Sequence, residues 1–238
     1  MFQNLYPSED CDSAYQIDYE GFYDKGYRGI LFDVDGTLWD ACDSVIEGWN
    51  QACLSLTGHG LPAPAAEFRK LFGKTMEEIA QAMFPSYPPQ QAAELGDACF
   101  RNEIIYLEQH PGQIYDGVPE MIQELSHTYP LYIVSNCQFG YIEIMLKAGN
   151  LGAYISDYMC YEDTKAPKSV TIRELMKRNN LHDVLYIGDT QGDADACRDA
   201  GVPFLFAEYG LGSVTGTYPS VRIPSAIPQA IRQLEQTR

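Results

Sequence analysis

Two aspartates that directly follow a short apolar run are the feature that most constrains this chain. The run, residues 29–32, has no helical period and indicates a buried strand, which leads into the string DVDGT at residues 33–37. Parallel α/β sheets bind their ligands in the crevice beyond the carboxyl ends of their strands. Asp33 and Asp35 are therefore candidates for chemistry, because one carboxylate can attack or hold a metal while its neighbour moves protons.

An Asp-x-Asp-Gly string also opens calcium-binding loops, which are an alternative interpretation of this motif. Such a loop needs an acid at its fifth position, a glycine at its sixth and a glutamate at its twelfth. Those places hold Thr37, Leu38 and Ser44, and the string is entered from a strand rather than from a helix. The calcium loop is disfavoured, whereas a purely structural turn stays open from this motif alone.

The composition narrows the class of protein. With 238 residues, of which 45% are hydrophobic, the chain can bury a full core and fits one large α/β domain or a domain with an insertion. No stretch approaches the roughly 18 to 20 apolar residues of a membrane span, and residues 1–12 are polar and acidic, unlike a secretory signal. We therefore expect a cytoplasmic protein with no membrane partner.

Charge and cysteine content disfavour further classes. The formal net charge of −17 opposes binding to nucleic acid, and an anionic substrate would need a divalent metal and lysines to reverse the potential locally. The seven cysteines are scattered without a Cys-x-x-Cys pair, so we expect reduced thiols rather than disulfides or a zinc site. Cys137 lies beside a strand end, but the chain has only four histidines to serve as its base, so cysteine catalysis is disfavoured.

Apolar runs that alternate with helical stretches predict an α/β fold with a doubly wound, mostly parallel, Rossmann-like sheet. The predicted strands are residues 29–34, 131–135, 184–188 and 203–207. The predicted helices that accompany them are residues 139–147, 169–179, 193–200 and 225–236, and residues 210–221 indicate a loop.

The long segment between the first two strands contains helix starts and no convincing strand. Residues 44–47 and 75–78 fit the capping box, and residues 64–72 and 89–109 indicate two more helices. Because a crossover between parallel strands normally needs only one helix, we interpret this segment as an inserted all-helical cap domain. The predicted division is a leader at residues 1–27 with a short helix at 18–25, a catalytic core at 28–42 and 116–238, and a cap at 43–115.

Further polar residues lie at the ends of the other predicted strands and at the start of a helix. They are Ser135, Asn136, Lys165, Lys168, Asp189 and Asp193. Each alone has an ordinary explanation as a turn residue, a helix cap or a solvated charge. Because all of them face the same predicted crevice as Asp33, their combination indicates one site.

Together these motifs resemble those of haloacid dehalogenase superfamily phosphatases, in the phosphoglycolate phosphatase-like branch with a helical cap. The resemblance covers Arg28 to the C terminus and rests on residues 33–37, the Ser135 strand end, a lysine before a helix, and Asp189 with Asp193. It implies a phosphatase that hydrolyses a small phosphate monoester, phosphoglycolate or a sugar phosphate, with Mg²⁺ as cofactor. We expect the enzyme to act as a monomer.

The resemblance also implies a role for each acid. Asp33 would attack phosphorus and form an aspartyl-phosphate, while Asp35 would protonate the leaving alcohol and then deprotonate the attacking water. The Mg²⁺ ligands would be the Asp33 carboxylate, the Asp35 carbonyl and the Asp189 carboxylate, and Asp193 would bind or orient this shell.

The phosphate group would be held by Ser135 and the amide of Asn136, and a lysine would neutralise both the nucleophile and the transferring group. The family often has Lys-Pro-x-Pro at this place, whereas this chain has KAPKS at residues 165–169. We favour Lys168 over Lys165 because Lys168 directly precedes the predicted helix. In the cap, Lys74 is a weaker candidate for contact with the leaving group.

Other activities of the same scaffold stay open. A phosphomutase would also use Asp33 but would return the phosphoryl group to a second hydroxyl of a sugar phosphate. A dehalogenase would not need Asp35, and a phosphonate-cleaving enzyme would need a Schiff-base lysine in the cap. A non-catalytic phosphate-binding module would have no need for both Asp33 and Asp35.

Overall fold

The computed structural model of the protein describes residues 26–238, so the predicted leader helix at residues 18–25 lies outside the described residues. The strands are β1 (Gly29–Phe32), β2 (Trp39–Asp40), β3 (Gln113–Ile114), β4 (Leu131–Ser135), β5 (Ile155–Cys160), β6 (Val184–Gly188), β7 (Phe204–Ala207) and β8 (Ser220–Val221). The helices are α1 (Cys42–Thr57), α2 (Ala65–Arg69), α3 (Met76–Met83), α4 (Pro89–Gln109), α5 (Val118–Ser126), α6 (Tyr141–Gly149), α7 (Tyr161–Thr164), α8 (Lys168–Arg178), α9 (Gln191–Ala200) and α10 (Ile227–Gln236).

Six parallel strands form the central sheet in the order β5-β4-β1-β6-β7-β8. The chain proceeds outward from β1 through β4 and β5, then crosses to the other side of β1 and continues through β6, β7 and β8. This reversal lies between β1 and β6, where Phe32 pairs with Ile187. Doubly wound folds bind their ligands at such a switch point. The predicted fold class is confirmed.

The central strand β1 is buried on both faces because successive side chains point to opposite sides of the sheet. Ile30 and Phe32 belong to one apolar cluster together with α5, α6 and α10. Leu31 belongs to a second cluster together with α8 and α9. Helices therefore cover both faces, which explains why the strands are almost continuously apolar.

Helices α1 to α4 lie between β2 and β3, which pair as an antiparallel ribbon with Trp39 opposite Ile114. This insertion has its own aromatic centre. The Trp49 ring lies 5.0 Å from that of Phe68 and 4.9 Å from that of Phe100, measured between ring centroids. Such pairs contribute about 0.5–1.5 kcal/mol beyond the burial of their area. The described insertion is helical as expected, and its boundaries at 43 and 115 stay a prediction.

The two predicted capping boxes have different outcomes. At the start of α3, the Thr75 hydroxyl accepts from the Glu78 amide at 3.3 Å, and the Glu78 carboxylate accepts from the Thr75 amide at 2.9 Å, as predicted. The box at Ser44 is wrong, because α1 begins at Cys42 and Ser44 lies in its first turn. The N-cap residue is Ala41, whose side chain cannot cap, and the Cys42 amide instead donates to the Asp40 carboxylate at 2.9 Å.

Several elements were missed by the sequence reasoning or placed differently. Strand β5 is an edge strand whose residues range from exposed to buried, so its pattern is neither alternating nor continuously apolar. Helix α5 and the short strands β2, β3 and β8 were also missed, and β8 lies inside the predicted loop at 210–221. Helix α2 ends three residues before the predicted limit at residue 72. Among residues 26–238, no helix is both long and apolar enough to span a bilayer.

Candidate active site

The carboxyl ends of three neighbouring strands bring the predicted site residues to one place. Asp33 directly follows β1, Ser135 is the last residue of β4, and Asp189 directly follows β6. Lys168 is the first residue of α8, which packs on the same end of the sheet beside β4 and β5. Residues that are separated by more than a hundred positions in the chain, such as Asp33 and Ser135, are therefore brought together at one edge by the parallel topology.

Lys168 is buried between two of the predicted acids. Its Nζ donates to Asp33 Oδ1 at 2.9 Å and to Asp193 Oδ1 at 2.6 Å, and its side chain is only 4% exposed. Although burial alone lowers the pKa of Lys168, Asp193 and Asp33 raise it above its ordinary value, so the ammonium stays charged. Lys165, in contrast, is exposed and lines a surface cavity with Phe139.

Asp33, Asp189 and Asp193 form a buried cluster of acids. Each offers a carboxylate oxygen, and the three oxygens lie within 4.8 Å of one another. Asp189 Oδ2 accepts from the amides of Leu211 and Gly212 at 2.7 and 3.0 Å. Asp189 Oδ1 is buried and finds no hydrogen-bond partner among the described residues. An all-oxygen set with one orphaned carboxylate oxygen fits a hard divalent cation such as Mg²⁺.

The pKa values of these acids also indicate a site for a divalent cation. Burial raises the pKa of Asp33 to about 6, with Lys168 acting against this rise and Asp193 adding to it. Burial, together with the charges of Asp193 and Asp33, raises the pKa of Asp189 well above its ordinary value. Acids packed this closely do not all ionise unless a cation balances them.

Asp193 lies in the first turn of α9, where it also takes part in capping the helix. Its Oδ2 accepts from the Thr190 amide and hydroxyl at 3.0 and 2.7 Å, while the Thr190 hydroxyl accepts from the Asp193 amide. Thr190 is thus the N-cap residue, and Asp193 is its capping-box partner. The capping bonds fix one oxygen of Asp193 and leave the other to hold Lys168.

Asp35 has a different environment from the three clustered acids. Its Oδ1 accepts from the Tyr141 hydroxyl at 2.7 Å and from Trp39 Nε1 at 3.1 Å. Burial raises the pKa of Asp35 to about 8, while the Tyr141 hydrogen bond lowers it and the charges of Asp33 and Glu103 raise it. The net effect favours the protonated form of Asp35. Its carboxylate does not belong to the cluster, and its predicted metal contact is the backbone carbonyl.

Gly36 allows the backbone that follows β1 to approach Asp189 closely. Its φ is +77°, a left-handed conformation that favours glycine, and a Cβ placed there would lie 2.1 Å from Asp189 Oδ2. The glycine of the DVDGT string is thus required by geometry rather than by the chemistry of a side chain.

Ser135 is the last residue of β4, and Asn136 directly follows it. Both line one cavity with Asp33 and Asp35, and Ser135 is buried. The Asn136 side chain donates from Nδ2 to the carbonyl of Gly73 at 2.9 Å, which connects the core to a loop of the helical insertion. This bond between the two parts was not predicted.

The cavity beside Asp33 is walled by both parts of the chain and leaves about 40 Å³ for the centres of water-sized molecules. Its cap side contributes Val45, Trp49, Phe68, Leu71, Phe72, Gly73, Lys74, Ile79, Phe100 and Glu103. Glu103 was missed by the sequence reasoning. Its burial results from packing between α4, α1 and the segment that follows β4, and a glutamate in a helix gives no sign of that in the sequence.

Cys137 also lines this cavity but is unsuited to be a nucleophile. Burial first, and then a hydrogen bond with Cys160, hold the pKa of the Cys137 thiol well above its ordinary value. Since the thiolate is the reactive form of cysteine, this environment disfavours cysteine catalysis, as expected.

The comparison with known families agrees with this geometry. The model of the haloacid dehalogenase-like hydrolase family matches residues 30–207, which include every predicted site residue. This chain belongs to that family. The predicted membership is thereby confirmed, and the names of individual relatives confirm the predicted class of enzyme, a phosphatase.

Individual relatives of this haloacid dehalogenase-like hydrolase are named phosphoglycolate phosphatase. One, from Photorhabdus laumondii, is 26% identical over 201 residues, covering 78% of this chain and 82% of the relative. Another, from Yersinia pestis, is 24% identical over 205 residues, covering 78% and 83%. A haloacid dehalogenase-like family protein from Streptococcus pneumoniae superposes with a TM-score of 0.72 at 21% identity, covering 86% of this chain and 98% of its own. This last likeness shows the fold alone.

Proposed function

We propose that the protein is a magnesium-dependent phosphatase that hydrolyses a small phosphate monoester through an aspartyl-phosphate on Asp33. The observation that carries this proposal is that the two acids, Asp33 and Asp35, have different hydrogen-bond partners and different charges around them. Asp33 is held by Lys168 in a cluster suited to a cation, whereas Asp35 has only the neutral donors Tyr141 and Trp39 and its pKa is raised to about 8. The proposed nucleophile, Asp33, and the proposed proton donor, Asp35, are thus two positions apart in the chain and favour different protonation states.

Asp33 is the nucleophile in this proposal. Its carboxylate attacks phosphorus, and the bond from phosphorus to the ester oxygen breaks as the bond to Asp33 forms. Lys168 lowers the pKa of Asp33 and so keeps it ionised, and its positive charge also stabilises the negative oxygens of the transferring group. Ser135 and the Asn136 amide hold those oxygens from the end of β4.

Asp35 is the general acid and then the general base. Its proton passes to the leaving alcohol oxygen, which leaves Asp35 as a carboxylate. In the second step this carboxylate takes a proton from water as the water attacks the aspartyl-phosphate, and free phosphate leaves. Tyr141 and Trp39 orient Asp35 for both transfers through their hydrogen bonds.

Mg²⁺ would be held by the Asp33 carboxylate, the Asp35 carbonyl and the Asp189 carboxylate, with Asp193 orienting the shell. Bound there, it would supply positive charge to the phosphate oxygens and allow the clustered acids to ionise together. The orphaned Asp189 Oδ1 supports this assignment.

We assign residues 43–115 to a cap that covers the site and admits a small substrate, of the phosphoglycolate or sugar phosphate class. The cavity that both parts wall supports this assignment, and closure would exclude water from the aspartyl-phosphate until Asp35 positions one molecule. We place the enzyme in the cytoplasm as a monomer. The six cysteines among the described residues are buried free thiols, as a reducing compartment favours.

The test is the Asp33→Asn variant assayed with p-nitrophenyl phosphate and Mg²⁺. We expect its turnover to fall by about 10⁴-fold or more, because an amide cannot serve as the nucleophile. Asp97→Asn, which removes an exposed charge from α4, is the matched control and should keep wild-type activity. Wild-type rates in Asp33→Asn would refute the proposed intermediate.

A second measurement observes the intermediate itself. With p-nitrophenyl phosphate, whose phenolate departs without a proton, Asp35→Asn can still form the intermediate, but the attacking water lacks its base. The phosphorylated protein should therefore accumulate and appear in the intact mass after an acid quench. Peptide mapping should place the phosphoryl group on Asp33, and free phosphate as the final product separates a hydrolase from a mutase. A phosphoryl group on any other residue would contradict the assignment.

A further inference from the structure

Glu103 is a buried acid that the proposed reaction does not use. It lies on α4, is 3% exposed, and lines the same cavity as Asp33 and Asp35. Its Oε2 accepts from Trp49 Nε1 at 2.5 Å, and its Oε1 accepts from Gln138 Nε2 at 2.8 Å. Both donors are neutral, so they orient the carboxylate without balancing its charge.

The two donors leave the carboxylate able to bind something further. A carboxylate has about four acceptor positions on its two oxygens, and only one bond to each oxygen is made by Trp49 and Gln138. Burial raises the pKa of Glu103 to about 7, while these two hydrogen bonds lower it. A cationic or hydrogen-bond-donating ligand in the cavity would satisfy the remaining acceptor positions and favour the ionised form.

The other walls of the cavity agree with this chemistry. Trp49, Phe68 and Phe100 place aromatic rings on the cap side, and ring faces attract ammonium groups and tolerate neutral ones. Lys74 is the basic residue on the cap wall of the cavity, but it is exposed and also lines the adjoining opening beside Asp35 and Asp189. Because Lys74 is exposed, its charge is screened by solvent and salt far more than the charge of the buried Glu103.

A carboxylate at the far end of the leaving group would instead meet Glu103. Two negative charges at close range in a buried cavity repel, and a buried acceptor without a donor is costly. Phosphoglycolate carries such a carboxylate, whereas sugar phosphates carry hydroxyl donors.

We propose that Glu103 determines specificity, selecting monoesters whose alcohol carries a hydroxyl or ammonium donor and discriminating against those that carry a carboxylate. This proposal rests on the proposed phosphatase activity and narrows its substrate class. Trp49 and Gln138 are positioning residues, since they act through Glu103.

The first experiment compares three two-carbon monoesters that differ only at their far end. They are phosphoethanolamine, 2-hydroxyethyl phosphate and phosphoglycolate, assayed by released phosphate with Mg²⁺ at pH 7.5. We expect kcat/KM for at least one of the two donor-bearing esters to exceed that for phosphoglycolate by about tenfold or more. The comparison of the two donor-bearing esters decides between ammonium and hydroxyl. A kcat/KM for phosphoglycolate that equals or exceeds both would overturn the proposal.

The second experiment measures the same ratios in Glu103→Gln. The amide has nearly the same shape, and Gln138 can turn its own amide to present its oxygen, so the packing can be kept while the charge is lost. We expect the preference over phosphoglycolate to shrink by about tenfold, chiefly through KM. Because a folding defect lowers all three rates together, it cancels in the ratio. An unchanged ratio would overturn the proposal.

Controls separate this inference from the function on which it rests. Glu108→Gln removes an exposed charge from the same helix and should leave the ratios unchanged. If the wild type hydrolyses neither p-nitrophenyl phosphate nor the three esters, the proposed function itself is wrong. If it hydrolyses p-nitrophenyl phosphate without preferring a donor-bearing ester, only the role of Glu103 is wrong.

Discussion

Replacement of Lys168 by methionine removes the buried cation on which both the packing and the chemistry of the acids depend. The variant keeps the length of the side chain and loses the contacts of 2.9 and 2.6 Å to Asp33 and Asp193. Breaking a buried ion pair by removing one partner costs about 3–5 kcal/mol, because the other partner is left as an uncompensated charge. Here two carboxylates lose their partner, and Asp33 can reduce the cost by taking up a proton, since its pKa is already about 6. We therefore expect a loss of about 3 kcal/mol in the free energy of unfolding at pH 8.

The pH dependence of this loss has a definite sign. Without Lys168 the folded-state pKa of Asp33 rises above 6, further from its value in the unfolded chain. A group whose pKa is raised by folding stabilises the folded state when protonated, and that stability is lost as the pH rises from the unfolded pKa to the folded one. The variant should therefore be closer to the wild type at pH 5 than at pH 8. Urea unfolding at both pH values, in EDTA, measures this difference.

The same variant should be nearly inactive. Removal of one group that stabilises developing charge typically lowers kcat by about 10²–10³-fold. The acid limb of its residual pH-rate profile should move to higher pH, because Lys168 lowers the pKa of Asp33 in the wild type. Lys165→Met is the matched control, and since Lys165 is exposed it should change the free energy of unfolding by no more than about 0.5 kcal/mol. Near-normal turnover in Lys168→Met, with activity lost in Lys165→Met, would refute the assignment.

Other expected outcomes test the remaining parts of the site. Tyr141→Phe removes a hydrogen bond that lowers the pKa of Asp35, so the alkaline limb of the pH-rate profile should move above its wild-type position; a move to lower pH would contradict the proton-donor role. Gly36→Ala places a Cβ against Asp189 at a positive φ and should destabilise the fold by about 1 kcal/mol or more, measured by urea unfolding, with loss of turnover; wild-type values would show that the turn is not required. Mg²⁺ should raise the Tm of the wild type, because a ligand that binds the folded state stabilises it, but not that of Asp189→Asn; an equal rise in both would place the cation elsewhere.

The strand ends could be predicted because their signal is local. An apolar run such as Gly29–Phe32 must be buried on both faces, and the polar residue that ends it must then lie at an edge of the sheet. The parallel order of strands follows from alternation with helices, so the approach of Asp33 to Asp189 was predictable without any knowledge of their contacts.

Strand β5 could not be predicted in the same way. It is an edge strand with a partner on one side, so Ile155–Cys160 includes exposed and half-buried residues and lacks the apolar continuity of the central strands. The predicted capping box at Ser44 was also wrong. Serine is a favourable N-cap residue type, but α1 already begins at Cys42, whose amide donates to the Asp40 carboxylate.

The environment of each acid depends on residues remote in the sequence. Burial raises the pKa of Asp35, and Tyr141 and Trp39 orient its carboxyl group, yet neither residue type at its position indicates that role. Glu103 is buried only because Trp49 and Gln138 approach it from a different helix and from the segment after β4. Such pairings arise from tertiary packing, which a single sequence does not display.

The charges of the site limit the order in which its ligands can bind. Three clustered carboxylates oppose one lysine, so without a cation the site would carry two excess negative charges if all the acids ionised. A divalent ion would balance this excess, and Asp35 would add none while protonated. A phosphate dianion that arrives before the cation would meet net repulsion in a chain whose overall charge is −17. We therefore expect the affinity for inorganic phosphate, measured by calorimetry, to be detectable with Mg²⁺ and lost in EDTA. Equal affinity in both conditions would mean that Lys168 alone reverses the local potential.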